Sequence, residues 1–248
     1  MATPPAPITD PAPKSSMQRI IGALFSPDET FRDIALKPDV LIPLLIIVVL
    51  STISGIVLAP RLDYDSLRPQ MAAKNPNLAP EDLDRMVKMA GAVGKVSAYA
   101  SPLLVILAFV CIAAVLLLAF RLFGGEGTFR QAFSIVTYAW IPRVIQSVIL
   151  TVIIVIKGTA DVNDIPTLVR SNPAFLVDMG DHPVLFSFLS TFDVFTIWSV
   201  VLLIIGFAYM SRFTKARSAT IILSIWAFIT VVKLGFAAMG AAKMKASS

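Results

Sequence analysis

The chain has 248 residues, of which 56% are hydrophobic and only 15% charged, with a net charge of +5. A soluble domain carries about 25% charged residues, so this composition excludes an ordinary water-soluble globule and points to an integral membrane protein. The basic residues are scattered at the ends of apolar runs, where lipid headgroups are met, which argues against a nucleic-acid partner. Cys111 is the one cysteine and His182 the one histidine, so neither an intrachain disulfide nor a metal framework is expected.

Residues 1–16 are rich in proline and read as a disordered tail. Their start, MATPPAPITDPAP, lacks the basic-then-apolar order of a secretory signal peptide, so insertion is expected to be directed by the first spanning helix. Two short amphipathic helices come next. Ile20, Ile21, Leu24 and Phe25 give the first an apolar face, and Pro27-Asp28-Glu29 starts the second, because proline fits a first turn and acids complement the dipole there. Both are expected on the membrane surface.

The fold class expected is all-α: a polytopic bundle of five transmembrane helices with amphipathic interfacial helices, in one membrane domain over residues 17–240 and a short tail over 241–248. The first span covers residues 40–59, with Pro43 in its first turn. A loop of about 40 residues contains an amphipathic helix opened by Pro80-Glu81-Asp82, with Leu83, Met86, Val87, Ala90 and Val93 at helical spacing. The second span, residues 102–123, contains the uninterrupted apolar run from Leu103 to Phe120. The glycine-rich turn Gly124-Gly125-Glu126-Gly127 reverses the chain into the third span, residues 132–156. An acidic loop leads to the fourth span, residues 191–210, and Arg212, Lys215 and Arg217 crowd the short loop before the fifth, residues 218–239. These three cations are expected to face lipid or a partner.

The third span is unusual. It carries Tyr138, Pro142, Arg143 and Gln146 near its middle, and lipid penalises such side chains, at about 2.5–3.5 kcal/mol for a charge at the helix centre. With Asp193 and Trp198 of the fourth span they form a candidate intramembrane polar site. One reading is a polar relay or substrate contact; the other is an interfacial acid with a snorkelling arginine. Antiparallel packing of the two spans sets Asp193 nearer Ile156 than Arg143, unless Pro142 breaks the third span and carries Arg143 to the opposite interface. Lys233, near the end of the fifth span, is expected to snorkel. Trp198, deep in its span, is expected to pack inside the bundle.

Catalytic signatures are missing. The glycine-rich turn lacks the lysine of a phosphate-binding loop, and the sequence has no H-E-x-x-H and no G-x-S-x-G. Asn172-Pro173-Ala174 is a single copy in an acidic loop, whereas a water channel needs two in apolar settings. No enzyme, no catalytic residue, no cofactor and no metal are expected.

The order of several short segments carries a resemblance. Phe25 to Ile34 reads F-S-P-D-E-T-F-R-D-I ahead of the first span; Gly124-Gly125-x-Gly127-Thr128-Phe129 precedes the third; Tyr138-Ala139-x-x-Pro142 lies within it; Asp193-x-Phe195-x-x-Trp198 opens the fourth. With five spans and a proline-rich front, the chain resembles the Yip-domain family of multi-spanning membrane proteins, in a prokaryote-like form, from about Phe25 to Met239. In its eukaryotic branch that resemblance implies adaptors for small Rab-type GTPases in vesicle traffic, with a cytoplasmic N-terminus. The long loop from Arg61 to Ser101 departs from the compact eukaryotic pattern. No site residue is carried over.

Three functions are therefore weighed, the third being a membrane-shaping protein that rests on the surface helices. The first is a non-enzymatic membrane scaffold or adaptor, whose partners are the bilayer and a membrane protein or a second copy of the chain. The second is a small-molecule transporter or channel subunit built on the polar residues of spans three and four. A prokaryotic inner membrane is the expected location. Basic residues divide almost equally between the two faces, but the two shortest loops are both basic and place the N-terminus inside.

Overall fold

In lipid the backbone must satisfy its own hydrogen bonds, which leaves helices as the spanning elements here. The computed structural model describes residues 14–246, so most of the expected tail over 1–16 and the last two residues lie outside the described residues. Five helical segments are long and apolar enough to cross a membrane: Leu41–Leu58, Pro80–Leu122, Phe129–Lys157, Val194–Ser211 and Lys215–Ala242.

Helix α1, Ser16–Phe25, starts at Ser15, which forms a reciprocal capping box with Gln18. Helix α2, Pro27–Leu36, opens on Pro27 with Asp28 and Glu29 in its first turn. The two make a tight hairpin. A Cβ at Gly22 would stand 2.3 Å from the Thr30 hydroxyl, so only glycine lets the helices come this close. One side of the hairpin is sunk into the bundle, with Ala23, Phe31 and Ile34 fully buried, while Met17, Ile21, Phe25 and Leu36 stay exposed.

Helix α3, Leu41–Leu58, is the first span. After a short helix α4, Arg68–Lys74, comes α5, Pro80–Leu122. Here the structure departs from the sequence reading: the amphipathic helix of the loop and the second span are one continuous helix of 43 residues. No stop signal separates them. Pro102 lies inside and removes one N–H, which spanning helices tolerate. At 1.5 Å per residue α5 is about 65 Å long, more than twice a hydrocarbon core of about 30 Å. Its N-terminal part therefore stands outside the membrane.

Helix α6, Phe129–Ala139, is capped by Thr128 and Gln131 in a second capping box. Helix α7, Ile141–Lys157, begins one residue after α6 ends, with Pro142 in its first turn. A short α8, Ile165–Leu168, leads to α9, Pro183–Leu189, then to α10, Val194–Ser211, and α11, Lys215–Ala246.

α3 packs between α5 and α7; α10 is the most enclosed span and touches α2, α6, α7 and α11. The core is a run of large side chains between these helices. Phe120 packs against Phe207 with tilted rings at 4.9 Å between centroids, and Phe109 meets Trp140 edge-on at 5.3 Å. Gly206 lets α10 touch its neighbours, since a Cβ there would meet Ile135 of α6 at 2.4 Å and Phe31 of α2 at 2.7 Å. At one end of the bundle the chain leaving α3 and the chain leaving α7 are joined by a minimal parallel bridge, β1 (Leu62–Asp63) to β2 (Ala160–Asp161), with Leu62 opposite Ala160. At the other end gather the α1–α2 hairpin, the glycine turn and the α10–α11 loop, tied by Glu126 to Arg212 at 3.1 Å and by Asp28 to Lys215.

Candidate functional site

The third span is interrupted, and the first turns after its break meet the start of the fourth. α6 gives way to α7 at Trp140, and α9 gives way to α10 between Ser190 and Asp193. An interrupted helix exposes backbone groups that need partners, so polar side chains are drawn to the break.

Asp193 supplies them at the start of α10. Its side chain accepts from the Thr196 backbone N–H at 3.0 Å and is the N-cap of the helix. It is only 3% exposed. Its other carboxylate oxygen accepts from Gln146 Nε2 of α7 at 2.8 Å and from the Ser171 hydroxyl. Arg143 donates to the Thr196 hydroxyl and stands 4.0 Å from Asp193 Oδ1, with its guanidinium 5.9 Å from the centre of the Trp140 ring. Lys233 of α11 donates to Ser190 at 2.9 Å. Trp140, Arg143, Gln146, Ser190, Asp193 and Lys233 line a cleft of about 590 Å³, within the usual range for small-molecule sites.

The expectation that Asp193 lies nearer Ile156 than Arg143 is overturned: it lies beside Arg143 and Gln146. The break does exist, at Trp140 just before Pro142, yet Arg143 is not carried to the opposite interface. The reason is the loop. The segment after Lys157 turns back through α9 before α10 begins, so Asp193 enters beside the first turns of α7 instead of its last. Pro142 itself is buried in that first turn and makes no polar contact there.

Tyr138 belongs elsewhere. Its ring is fully buried in α6 and its hydroxyl donates to Asp39, at 2.9 and 3.1 Å from the two oxygens. Asp39 sits just before α3 and also accepts from Ser16 and from Arg19, while Arg19 reaches Asp33 at 2.8 Å and the Lys37 carbonyl at 2.9 Å. Burial opposes ionisation of Asp39, but the hydrogen bonds from Ser16, Tyr138 and Arg19 outweigh it and hold its carboxyl below the usual range. Arg19 is 4% exposed, and although burial works against its charge, Asp33 and Asp39 raise its affinity for the proton. Two further bonds fasten the hairpin region to α6: Ser134 to the Asp39 carbonyl at 2.6 Å and Gln131 to the Ala35 carbonyl at 2.7 Å. Trp198 is partly buried against the core and is not in the cleft.

The basic loop residues are spread over separate contacts. Arg212 pairs with Glu126, Lys215 with Asp28, and Arg217 donates to the Phe123 carbonyl at 2.7 Å and lies over the Phe213 ring at 3.9 Å. The hydrogen bond from Lys215 is the main cause holding the Asp28 carboxyl below its ordinary range. Among the described residues no group of His, Cys, Asp and Glu is placed to hold a metal ion.

Sequence reasoning missed Asp39, Arg19, Ser171 and Thr196. Asp39 carried a usable signal, a carboxylate directly before an apolar run, where a partner is demanded. Ser171, in a polar loop, carried none.

Comparison with known proteins bears on the whole chain. Among curated proteins it is similar to the membrane protein YknW of Bacillus subtilis, 26% identical over 195 residues that cover 75% of this chain and 76% of the relative. No solved structure matches. The family model described as the Yip1 domain matches residues 21–237, from α1 to α11, and so takes in Asp39 with Tyr138 and the Arg143–Asp193 cleft. A bundle of five spanning helices with that match over most of its length belongs to the Yip1-domain family of multi-pass membrane proteins.

Proposed function

We propose that the protein is a non-enzymatic membrane scaffold that works by helix-to-helix association along α5. The observation that carries this reading is an apolar seam on the exposed side of that helix. Met86, Met89, Val93, Val96, Ala100, Leu103, Leu107 and Val110 succeed one another at alternating steps of three and four, the spacing of a coiled-coil seam. Outside the hydrocarbon, lipid tails do not account for such a stripe, yet Met89, Val93 and Val96 are 65%, 57% and 66% exposed. The opposite side of α5 is already used: Val87 is buried, and Gly91 and Gly94 lie under the Tyr64 ring.

A second copy of the chain is the partner that fits the seam most simply. Two copies inserted in the same sense and related by a twofold axis along the membrane normal bring their α5 helices together parallel and in register. Cysteines at Val93 and Val96, in a Cys111→Ser background, are expected to crosslink into dimers in native membranes, while one at Val87 is not. Failure of the seam cysteines to crosslink, with no other membrane protein captured on them, would remove the basis of the reading.

A second reading is a small-molecule transporter or channel subunit, favoured by the polar cleft between α7, α9, α10 and α11. Uptake of a radiolabelled solute by proteoliposomes that Arg143→Gln abolishes would support it over the scaffold. On either reading we place the chain in a prokaryotic inner membrane with the N-terminus inside.

A further inference from the structure

The cleft at the two helix breaks has an imbalance of charge. It is lined by Trp140, Arg143, Gln146, Ser190, Asp193 and Lys233, which bring two cations and one carboxylate. Asp193 has its needs met without a full ion pair: Thr196, Ser171 and Gln146 donate to it, and Arg143 reaches it only at 4.0 Å. Arg143 spends one donor on a neutral hydroxyl, and its side chain is 38% exposed toward the cleft. Among the described residues no carboxylate pairs with Lys233, whose contact is the Ser190 hydroxyl. Both cations sit on helices that cross the membrane, where an uncompensated positive charge is costly and draws in a counter-charge.

We propose that this cleft binds a phosphate-bearing anion between Arg143 and Lys233. The guanidinium offers a planar fork of N–H donors suited to a phosphate, and the lysine of the same lining a compact point charge. The Trp140 ring gives an apolar wall for whatever the phosphate is attached to. Asp193, held in place by its own three donors, pairs with Arg143 at 4.0 Å and leaves the lining with one positive charge in excess. A volume of about 590 Å³ accommodates a glycerophosphate-sized group. The chemistry is shared by two sources, the headgroup of an anionic phospholipid and a water-soluble phosphate ester. This inference is independent of the scaffold reading and does not require that the ligand be moved across the membrane.

The test is binding to the purified full-length protein. Glycerol 3-phosphate is titrated in a neutral detergent, and phosphatidylglycerol is compared with phosphatidylcholine in nanodiscs, read by thermal shift and by native mass spectrometry. Lys233→Gln is expected to weaken binding of the phosphate probe at least tenfold, and Lys233→Arg to retain most of it, which separates lost charge from lost fold. Binding of phosphatidylglycerol alone assigns the site to a lipid headgroup; binding of glycerol 3-phosphate assigns it to a soluble ester. If neither probe binds above the phosphatidylcholine control, or if binding is the same in Lys233→Gln as in the parent chain, the proposal is overturned.

Discussion

Gln146 and Asp193 are 47 residues apart and joined by a hydrogen bond of 2.8 Å. That contact holds the third span, just after its break, to the start of the fourth. Asp193 also caps α10, so the same carboxylate closes a helix and fastens it to its neighbour. Asp193→Ala is expected to lose the cap, about 1 kcal/mol, and to leave the donors of Gln146 and Ser171 without an acceptor, about 1–3 kcal/mol more. Asp193→Asn keeps an oxygen for the Thr196 N–H and is expected to fall between the two. Thermal unfolding in detergent ranks the three chains, and an alanine variant as stable as the parent would contradict this role.

The Asp39 cluster gives a pH dependence with a defined sign. The carboxyl is held below its ordinary value in the folded chain, so the unfolded state takes up the proton first as pH falls. The stabilisation from this group is complete above an ordinary aspartate value of about 3.9 and is lost as pH falls through the lowered folded value. Asp28, lowered by Lys215, acts in the same direction. Acidification below about pH 4 is expected to speed hydrogen exchange in α1 before α10. The Asp39→Asn chain is expected to exchange faster in α1 at neutral pH and to show a smaller acid step.

Tyr138→Phe tests the other end of that cluster. It removes one hydrogen bond to a charged acceptor and keeps the ring in place. A loss of about 1–2 kcal/mol is expected, at the lower part of the range for charged partners because Asp39 retains Ser16 and Arg19. Equilibrium unfolding of the two chains measures it.

Much of the architecture was legible because lipid enforces it: residues 103–120 contain no polar side chain, and only a spanning helix can use such a run. The joining of the amphipathic helix to that span was not legible. Its first half has the apolar spacing of a surface helix, and that spacing does not tell a separate helix from a continuation of the span; in the fold this half rests on Tyr64 at Gly91 and Gly94. Arg143, Gln146 and Asp193 stood out because charge and amide are costly in lipid, but their meeting depended on a loop that turns inward, and loops carry no periodic signal. Tyr138 stood out for the same reason as Arg143 and proved to serve a different cluster, because it lies on α6 ahead of the break and bonds Asp39, whereas Arg143 lies on α7 after it.

Gly206→Ala tests the close contact of α10 with the hairpin. The added methyl would press on Ile135 and Phe31, both fully buried, so neither has room to yield. A destabilisation of about 1–3 kcal/mol is expected from overpacking, and Phe31→Leu in the same chain is expected to restore part of it. Detergent melts of the single and double variants measure both.

Orientation is tested by reporters at the two termini. A fluorescent protein that folds only in the cytoplasm is expected to be bright at the N-terminus and dark at the C-terminus, five spans away. The reverse pattern would invert the assignment of the α1–α2 face.

The length of α5 makes it a lever. With about 30 Å of rigid helix outside the hydrocarbon, a change in tilt of about 10° at the membrane sweeps the far end through about 5 Å. Within the bundle α5 touches the third span where Phe109 meets Trp140, at the break. A small adjustment of the seam between α6 and α7 would thus be magnified into a displacement visible on the far side of the bilayer.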